Sequence, residues 1–442
     1  MLPINKKKPG IYTGIILCLL ISSIWSAYVS SWIPSPIGPP VGALLRDSIL
    51  FLLLILCVWR YFSLKHTTKI NVFLLIIWLT IVYYCALIIP FSPAVDMALN
   101  GIRVYILFPA VFLILYILSA TGRDLRNSQN FIITIFLINC FLTALIGILD
   151  VATLGELPLI LGYNPDFGGG DFKQVNSFDG FIRATGGFAD ALNFGYLMSI
   201  GYLVSLDVIF VDENRYLKRI FVGLVAFLCF IACVMSLTRG AILVVLIVTF
   251  FYILRHRAVT LFVLVASLSF IIIISVSPEL YDLLFIRFTD GNLESAGSTQ
   301  GRIDMAIDSI KYLSNHFMGS GLGTQGAANR FSNTDFRINT DNYFFWAALE
   351  IGIIGSLIFF LYIFLQFYVT LQLKKVDGFT VLMIILFISS GLISSAPTSA
   401  IFSVSFWLML FVRNGDLKQK AHKYNRLYWK YASSGRKNNL TV

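Results

Sequence analysis

Residues 342–373 read NYFFWAALEIGIIGSLIFFLYIFLQFYVTLQL, and Glu350 is the one charged side chain in the run. A stretch this long and this apolar is enough to cross a bilayer core as a helix. Lipid offers no partner for a backbone N–H or C=O, so such a run must satisfy its own backbone. Comparable runs recur, and twelve spans are expected near 11–31, 43–62, 70–90, 102–120, 131–152, 188–210, 219–237, 240–254, 259–278, 342–373, 379–395 and 398–412. The whole chain of 442 residues is 57% hydrophobic and only 13% charged, with a mean hydropathy of +0.81. No soluble domain needs so much apolar surface. The expected fold class is therefore all-α: one integral polytopic membrane domain over 1–442 with about 12 transmembrane helices.

The net charge of +10 is explained by its distribution and does not call for nucleic acid. With both termini inside, the inner segments carry 23 of the 33 Lys and Arg. That bias is the positive-inside signature, and it orients the chain with both termini cytoplasmic. The tail over 413–442 is basic with interspersed Tyr and Trp, which suits an anionic inner leaflet. All six cysteines fall inside expected helices, as small core residues rather than a disulfide framework. The first span lacks a small-residue cleavage site at its end and reads as retained.

Inner loops are short, whereas two outer segments are long. The first, 153–187, contains LGYNPDFGGGDFKQVNSFDGFIRATGG. The second, 279–341, is the large extracytoplasmic loop and the natural place for chemistry. Within it Ile303, Ala306, Ile307, Ile310 and Leu313 recur at helical spacing, with Arg302, Asp304, Asp308 and Lys311 on the rest. Ser298 and Thr299 offer a cap before this amphipathic helix, which is expected to lie along the outer membrane surface or over a cavity.

Three arginines on the outer side stand out by their surroundings. Arg239, in MSLTRGAILVV, reads equally as an anion ligand and as a loop arginine capping a turn between spans. Arg183, in FIRATGGFAD, sits at a span entrance beside Gly186 and Gly187; its alternative is an interfacial anchor. Arg302 opens the amphipathic helix and alone reads as a solvated charge. Together, three guanidinium groups around one cavity suit a pyrophosphate, because they bind phosphate oxygens in a bidentate way and stay charged. GSGLGTQG (Gly319, Gly321, Gly323, Gly326) lacks GK[ST] and follows no strand, so it reads as a tight turn and not a nucleotide loop. DGNLE (Asp290, Asn292, Glu294) lacks the remainder of a calcium loop, and no metal site is expected. His316 reads as a solvated loop histidine. Asp341 lies where the loop re-enters the membrane and reads both as a general base and as a helix cap ahead of Asn342. Glu350 is a second carboxylate near the same helix end, expected to pair with an arginine.

The series GR at 301–302, GSGLGT at 319–324 and DNYFFWAALEIGIIG at 341–355 resembles the O-antigen ligase and polysaccharide polymerase family. TRGA at 238–241 is similar to that family's RG-type turn, and RATGGF at 183–188 to its R-x-x-G-x-F stretch. The resemblance covers roughly residues 180–365. It implies metal-independent glycosyl transfer in a bacterial plasma membrane, outside the cytoplasm, with no cofactor. Undecaprenyl-pyrophosphate-linked glycans would be donor and acceptor, with flippase and chain-length regulator proteins as partners. By the same resemblance Arg183, Arg239 and Arg302 would hold the pyrophosphate, with Asp341, Arg302 and Arg239 as the catalytic set. Glu350, Asn342, Gly321 and Gly323 would support them.

Ligases of this family carry His-Asn at the loop-to-helix junction, where this chain has Asp341 and Asn342. The expected function is therefore a polymerase joining repeat units. A ligase passing the finished glycan to a lipid or protein acceptor is the alternative, and a lipid-linked glycan transporter or flippase is the alternative of another class. A transporter, however, places its polar groups at mid-membrane and shows repeats.

Overall fold

The computed structural model describes residues 10–32, 41–62, 69–121, 128–160, 177–178, 181–188, 190–211, 216–255, 299–325, 340, 342–372 and 378–414. The expected span at 259–278, most of both long loops, Asp341, and the tail beyond 414 lie outside the described residues, as does the side chain of Arg302.

The described chain is helical apart from one two-residue antiparallel ribbon, β1 (Ser177–Phe178) with β2 (Phe181–Ile182). Its helices are α1 (Ile11–Trp32), α2 (Val41–Phe62), α3 (Lys69–Ile88), α4 (Val95–Ile102), α5 (Phe108–Thr121), α6 (Gln129–Ala152), the short α7 (Glu156–Ile160), α8 (Ala191–Val211), α9 (Tyr216–Met235), α10 (Arg239–Arg255), α11 (Thr299–Asn315), α12 (Tyr343–Gln372), α13 (Gly378–Ile393) and α14 (Ala400–Asn414). A π-helical turn, Arg103–Leu107, joins α4 to α5 into one span. Six described helices are long and apolar enough to cross a membrane, and five shorter apolar ones accompany them. Eleven of the twelve expected spans thus coincide with described helices, and the protein is a polytopic all-α membrane protein.

The bundle is organised around α8, which is buried almost throughout. Its small residues explain this. A Cβ on Gly201 would lie 2.9 Å from Cys140 Sγ and 3.1 Å from Cys229 Sγ, so α6 and α9 approach to backbone range. Ser199 and Ser205 sit four residues beyond Gly195 and Gly201 and return their hydroxyls to those carbonyls at 3.0 and 2.7 Å, which leaves no polar group facing lipid. Five of the six cysteines are buried; Cys18 is the exception and is exposed on α1.

One end of the bundle is tied by a buried ion pair. Asp207 on α8 bonds Arg413 on α14, and Tyr252 on α10 donates to the same carboxylate at 3.4 Å. The opposite end carries the described parts of both long loops and is called the loop end. Removing one partner of a buried pair strands the other. Asp207→Asn should therefore cost about 3 kcal/mol or more, read as a lower thermal midpoint in detergent. The double change Asp207→Leu with Arg413→Met should cost less than either single change.

Candidate active site

Two structural units meet at the loop end. The first is built around Asp150, in the last turn of α6 and fully buried. Its Oδ2 accepts the Thr185 hydroxyl at 2.8 Å, the Gly186 amide at 2.9 Å and the Thr185 amide at 3.4 Å. The carboxylate therefore folds the RATGG segment onto α6. Gly186 and Gly187 hold φ of 58° and 88°, which favours glycine, and a Cβ on Gly187 would run into the Tyr28 ring of α1.

This anchoring presents Arg183 to the α9–α10 turn. Its Nε donates to Ser236 O at 2.9 Å and its Nη2 to Thr238 Oγ1 at 3.3 Å, while the Ala184 amide donates to Met235 O at 3.1 Å. The next residue after that turn is Arg239, the first of α10, so the structure brings Arg183 and Arg239 together. Arg183 thus closes this turn from outside it. Burial pushes the Arg183 guanidinium below its ordinary value and the Asp190 carboxylate pushes it back up. An arginine starts so far above physiological pH that it stays charged. The N-terminus of α10 adds positive potential beside Arg239.

The second unit is α12. Gly352 has φ 72° and ψ 175°, so the helix is broken one-third of the way along. The break frees backbone groups, and the glycine loop fills them. Ser320 N donates to Leu349 O at 2.7 Å, Gly321 N to Glu350 O at 3.1 Å, and Ile353 N to Phe317 O at 3.0 Å. Tyr84 donates its hydroxyl to Ile351 O at 3.2 Å. The glycines are needed for closeness: a Cβ on Gly319 would sit 2.6 Å from Glu350 O, and one on Gly321 2.7 Å from Phe91 O. On the far side, Leu322 and Gly323 pack against Gly101 of α4. Gly321 and Gly323 thus wedge the loop, read from sequence as a tight turn, between α4 and the broken helix.

Glu350 is buried at this junction. Its Oε1 accepts the Gln325 amide and the Trp346 indole N–H, both at 2.9 Å. The expected arginine partner is replaced by these neutral donors, because the loop crosses directly over the carboxyl. The N-cap of α12 falls on Asn342, whose Oδ1 accepts the Phe344 and Phe345 amides at 2.9 and 3.2 Å. Asp341 is therefore not required as the cap. His316 is exposed and stacked on Tyr312 with ring centroids 4.3 Å apart.

The two units border the same helix end. Asn342 Nδ2 donates to Leu392 O of α13 at 3.1 Å, and a Cβ on Gly240, next to Arg239, would lie 3.1 Å from Ile393 Cγ2. Arg302 stands in the first turn of α11, which packs on α12. That helix buries Ser309 and Leu313, while Ile303, Ile307 and Ile310 are exposed as an apolar stripe beside Asp304, Asp308 and Lys311. An interfacial helix looks like this: one flank on protein, one on lipid, one in water.

Sequence reading passed over Asp150, Gln325 and Gly352. Asp150 carried a usable signal, since a carboxylate within an apolar run is rarely idle. The Gly352 break has no such signal, because glycines are common in transmembrane helices. Gly352→Ala would force a Cβ to within 2.5 Å of the Met318 carbonyl carbon at a positive φ. It should cost more than about 1 kcal/mol and release the glycine loop, seen as faster proteolytic cleavage within 317–325.

Residues 224–360, which include Arg239, α11, the glycine loop and the broken half of α12, match the family described as O-antigen ligase. The chain is also 40% identical over 391 residues to an O-antigen polymerase of Salmonella muenchen, covering 84% of this chain and 95% of that protein. The likeness reaches beyond the stretch that carries the motifs and takes in most of the spans. The chain belongs to the O-antigen ligase and polymerase family of membrane proteins.

Proposed function

We propose that the protein is a polysaccharide polymerase that joins undecaprenyl-pyrophosphate-linked repeat units on the extracytoplasmic face of a bacterial plasma membrane, with both termini cytoplasmic. The growing glycan on its lipid is the donor, and a hydroxyl of the incoming lipid-linked unit is the nucleophile. Attack at the donor's anomeric carbon forms the new glycosidic bond and breaks the bond to undecaprenyl pyrophosphate. The acceptor proton passes to a base, for which Asp341 is favoured over Glu350 and Asp304. Glu350 is less available than Asp341 because its carboxyl already holds the loop through Gln325 and Trp346.

The observation that carries this reading is the seating of Arg183 on the turn that Arg239 directly follows, at a helix N-terminus. Fixed guanidinium groups at a dry site stabilise the charge that grows on the departing pyrophosphate without reorganising. Such a site needs neither nucleotide nor metal. The likeness to an O-antigen polymerase supports the choice of polymer over single transfer. The ligase reading is kept alive by the family description over 224–360. The ligase would use the same leaving group and differ only in acceptor. A transporter is disfavoured, since the described arginines of the site gather at one end of the bundle.

Arg239→Ala should abolish long-chain glycan and leave lipid-linked single repeats accumulating outside, with a loss of at least about a hundredfold for a transition-state donor. Full-length chains accumulating on undecaprenyl pyrophosphate would instead identify a ligase, and single repeats retained inside would identify a transporter. Asp341→Asn should stop polymerisation while leaving the protein as stable as before, because Asn342 supplies the cap. Retained activity would exclude Asp341 as the base.

A further inference from the structure

A second group of arginines stands at the loop end, on helices outside the region that resembles the family's motifs. Arg46 and Asp47 are neighbours near the start of α2, and Arg103 opens the π-helical turn between α4 and α5. Asp47 lies between the two guanidinium groups. Its Oδ1 meets Arg46 Nη2 at 2.9 Å and its Oδ2 meets Arg103 Nε at 2.6 Å. Arg46 is buried, with its guanidinium 5.5 Å from the centroid of the Phe108 ring. Arg103 is a quarter exposed.

Two features mark this cluster as more than a tie between helices. The first is its charge. Among the described side chains, two guanidinium groups against one carboxylate leave one net positive charge in a region of apolar spans, where an uncompensated arginine costs about 2.5 to 3.5 kcal/mol. A structural ion pair would have used one arginine. The second is its place. Gly101, two residues before Arg103, is the residue on which Leu322 and Gly323 of the glycine loop pack. The π-helical turn that follows is the kind of local irregularity that recurs at functional sites. Arg103 therefore flanks the wedge on the α4 side, while the turn bearing Arg183 and Arg239 neighbours α13 beside the start of α12.

We propose that Arg46 and Arg103 form a second anion site, which holds the diphosphate headgroup of one lipid-linked substrate while Arg183 and Arg239 hold the other. This rests on the polymerase reading, in which donor and acceptor each carry a polyprenyl pyrophosphate; a ligase acting on a lipid or protein acceptor carries only one. Arg46 is the fixed half of the site, held by Asp47 and Phe108. Arg103 is the accessible half, and its Nη donors carry no partner among the described residues. Asp47 sets the spacing of the two and, as the resident anion, weakens the site for a second.

The test is the number of undecaprenyl pyrophosphate molecules bound by the full-length protein in lipid nanodiscs, counted by native mass spectrometry. The wild type should bind two, and Arg103→Gln and Arg239→Ala one each. Wild-type binding of one would remove the two-lipid reaction itself. Wild-type binding of two with Arg103→Gln unchanged would overturn only the second site. Asp47→Asn decides the case in which Arg103→Gln merely misfolds. Removing a carboxylate at ion-pair distance from both arginines should tighten the second lipid on the order of tenfold. A purely structural cluster would lose stability and gain no affinity. Excess inorganic pyrophosphate separates a lipid headgroup site, which keeps its second lipid, from a site for free anions, which loses it.

Discussion

The break in α12 is the constraint from which the loop end follows. A helix interrupted at Gly352 leaves Leu349 O, Glu350 O and Ile351 O without their usual partners, and the amide of Ile353 likewise. In a bilayer none of these groups can turn to water, and each unsatisfied one costs several kcal/mol. The chain answers with backbone from elsewhere. Phe317, Ser320 and Gly321 supply the missing donors and acceptor, and Tyr84 supplies a hydroxyl. Once the loop must enter, its other properties are dictated. Only residues without a Cβ can come so close to Glu350 O and Phe91 O, and Gly101 must be small where α4 closes over the wedge.

The arginine turn is held by the same logic with a different donor set. Asp150 is buried in an apolar helix and gathers two amides and a hydroxyl from the RATGG segment. Those bonds fix the direction of Arg183, which in turn closes the α9–α10 connection over Ser236 and Thr238. The cation beside Arg239 is thus oriented through a chain of contacts that begins on α6. A change at Asp150 would act on Arg183 through the RATGG segment, so on the proposed reading Asp150 is a positioning residue.

The spans were legible in the sequence because lipid imposes a simple rule on length and polarity, and eleven of the twelve ranges coincide with described helices. The amphipathic α11 was legible for a similar reason: its Ile303, Ile307 and Ile310 stripe repeats at helical spacing. What could not be read was how helices pair. Nothing near Glu350 announces that Gln325 and Trp346, rather than an arginine, will meet its carboxylate. Nothing near Arg46 announces Arg103, which lies two spans later in the chain. Asp341 read both as a base and as a cap, and only geometry assigns the capping bonds to Asn342. Local pattern reports burial and period, whereas a site depends on distances between segments far apart in sequence.

The charge balance at the loop end gives the arrangement its chemical sense. Among the described residues there, Asp150 and Glu350 are engaged by amides, a hydroxyl and an indole rather than by an arginine. Asp190 is drawn into the N-cap of α8 through Asn193. Asp47 lies at ion-pair distance from two guanidinium groups and offsets one of their charges. Asp150, Glu350 and Asp190 instead build the frame around the arginines. A frame of that kind keeps positive potential at a membrane boundary, where the proposed diphosphate leaving group would need it and where water would otherwise screen it. Polymerase and ligase chemistry both need one such centre. A second centre is useful only to an enzyme whose acceptor also arrives on a diphosphate, so the number of arginine sites, more than the identity of any base, separates the two.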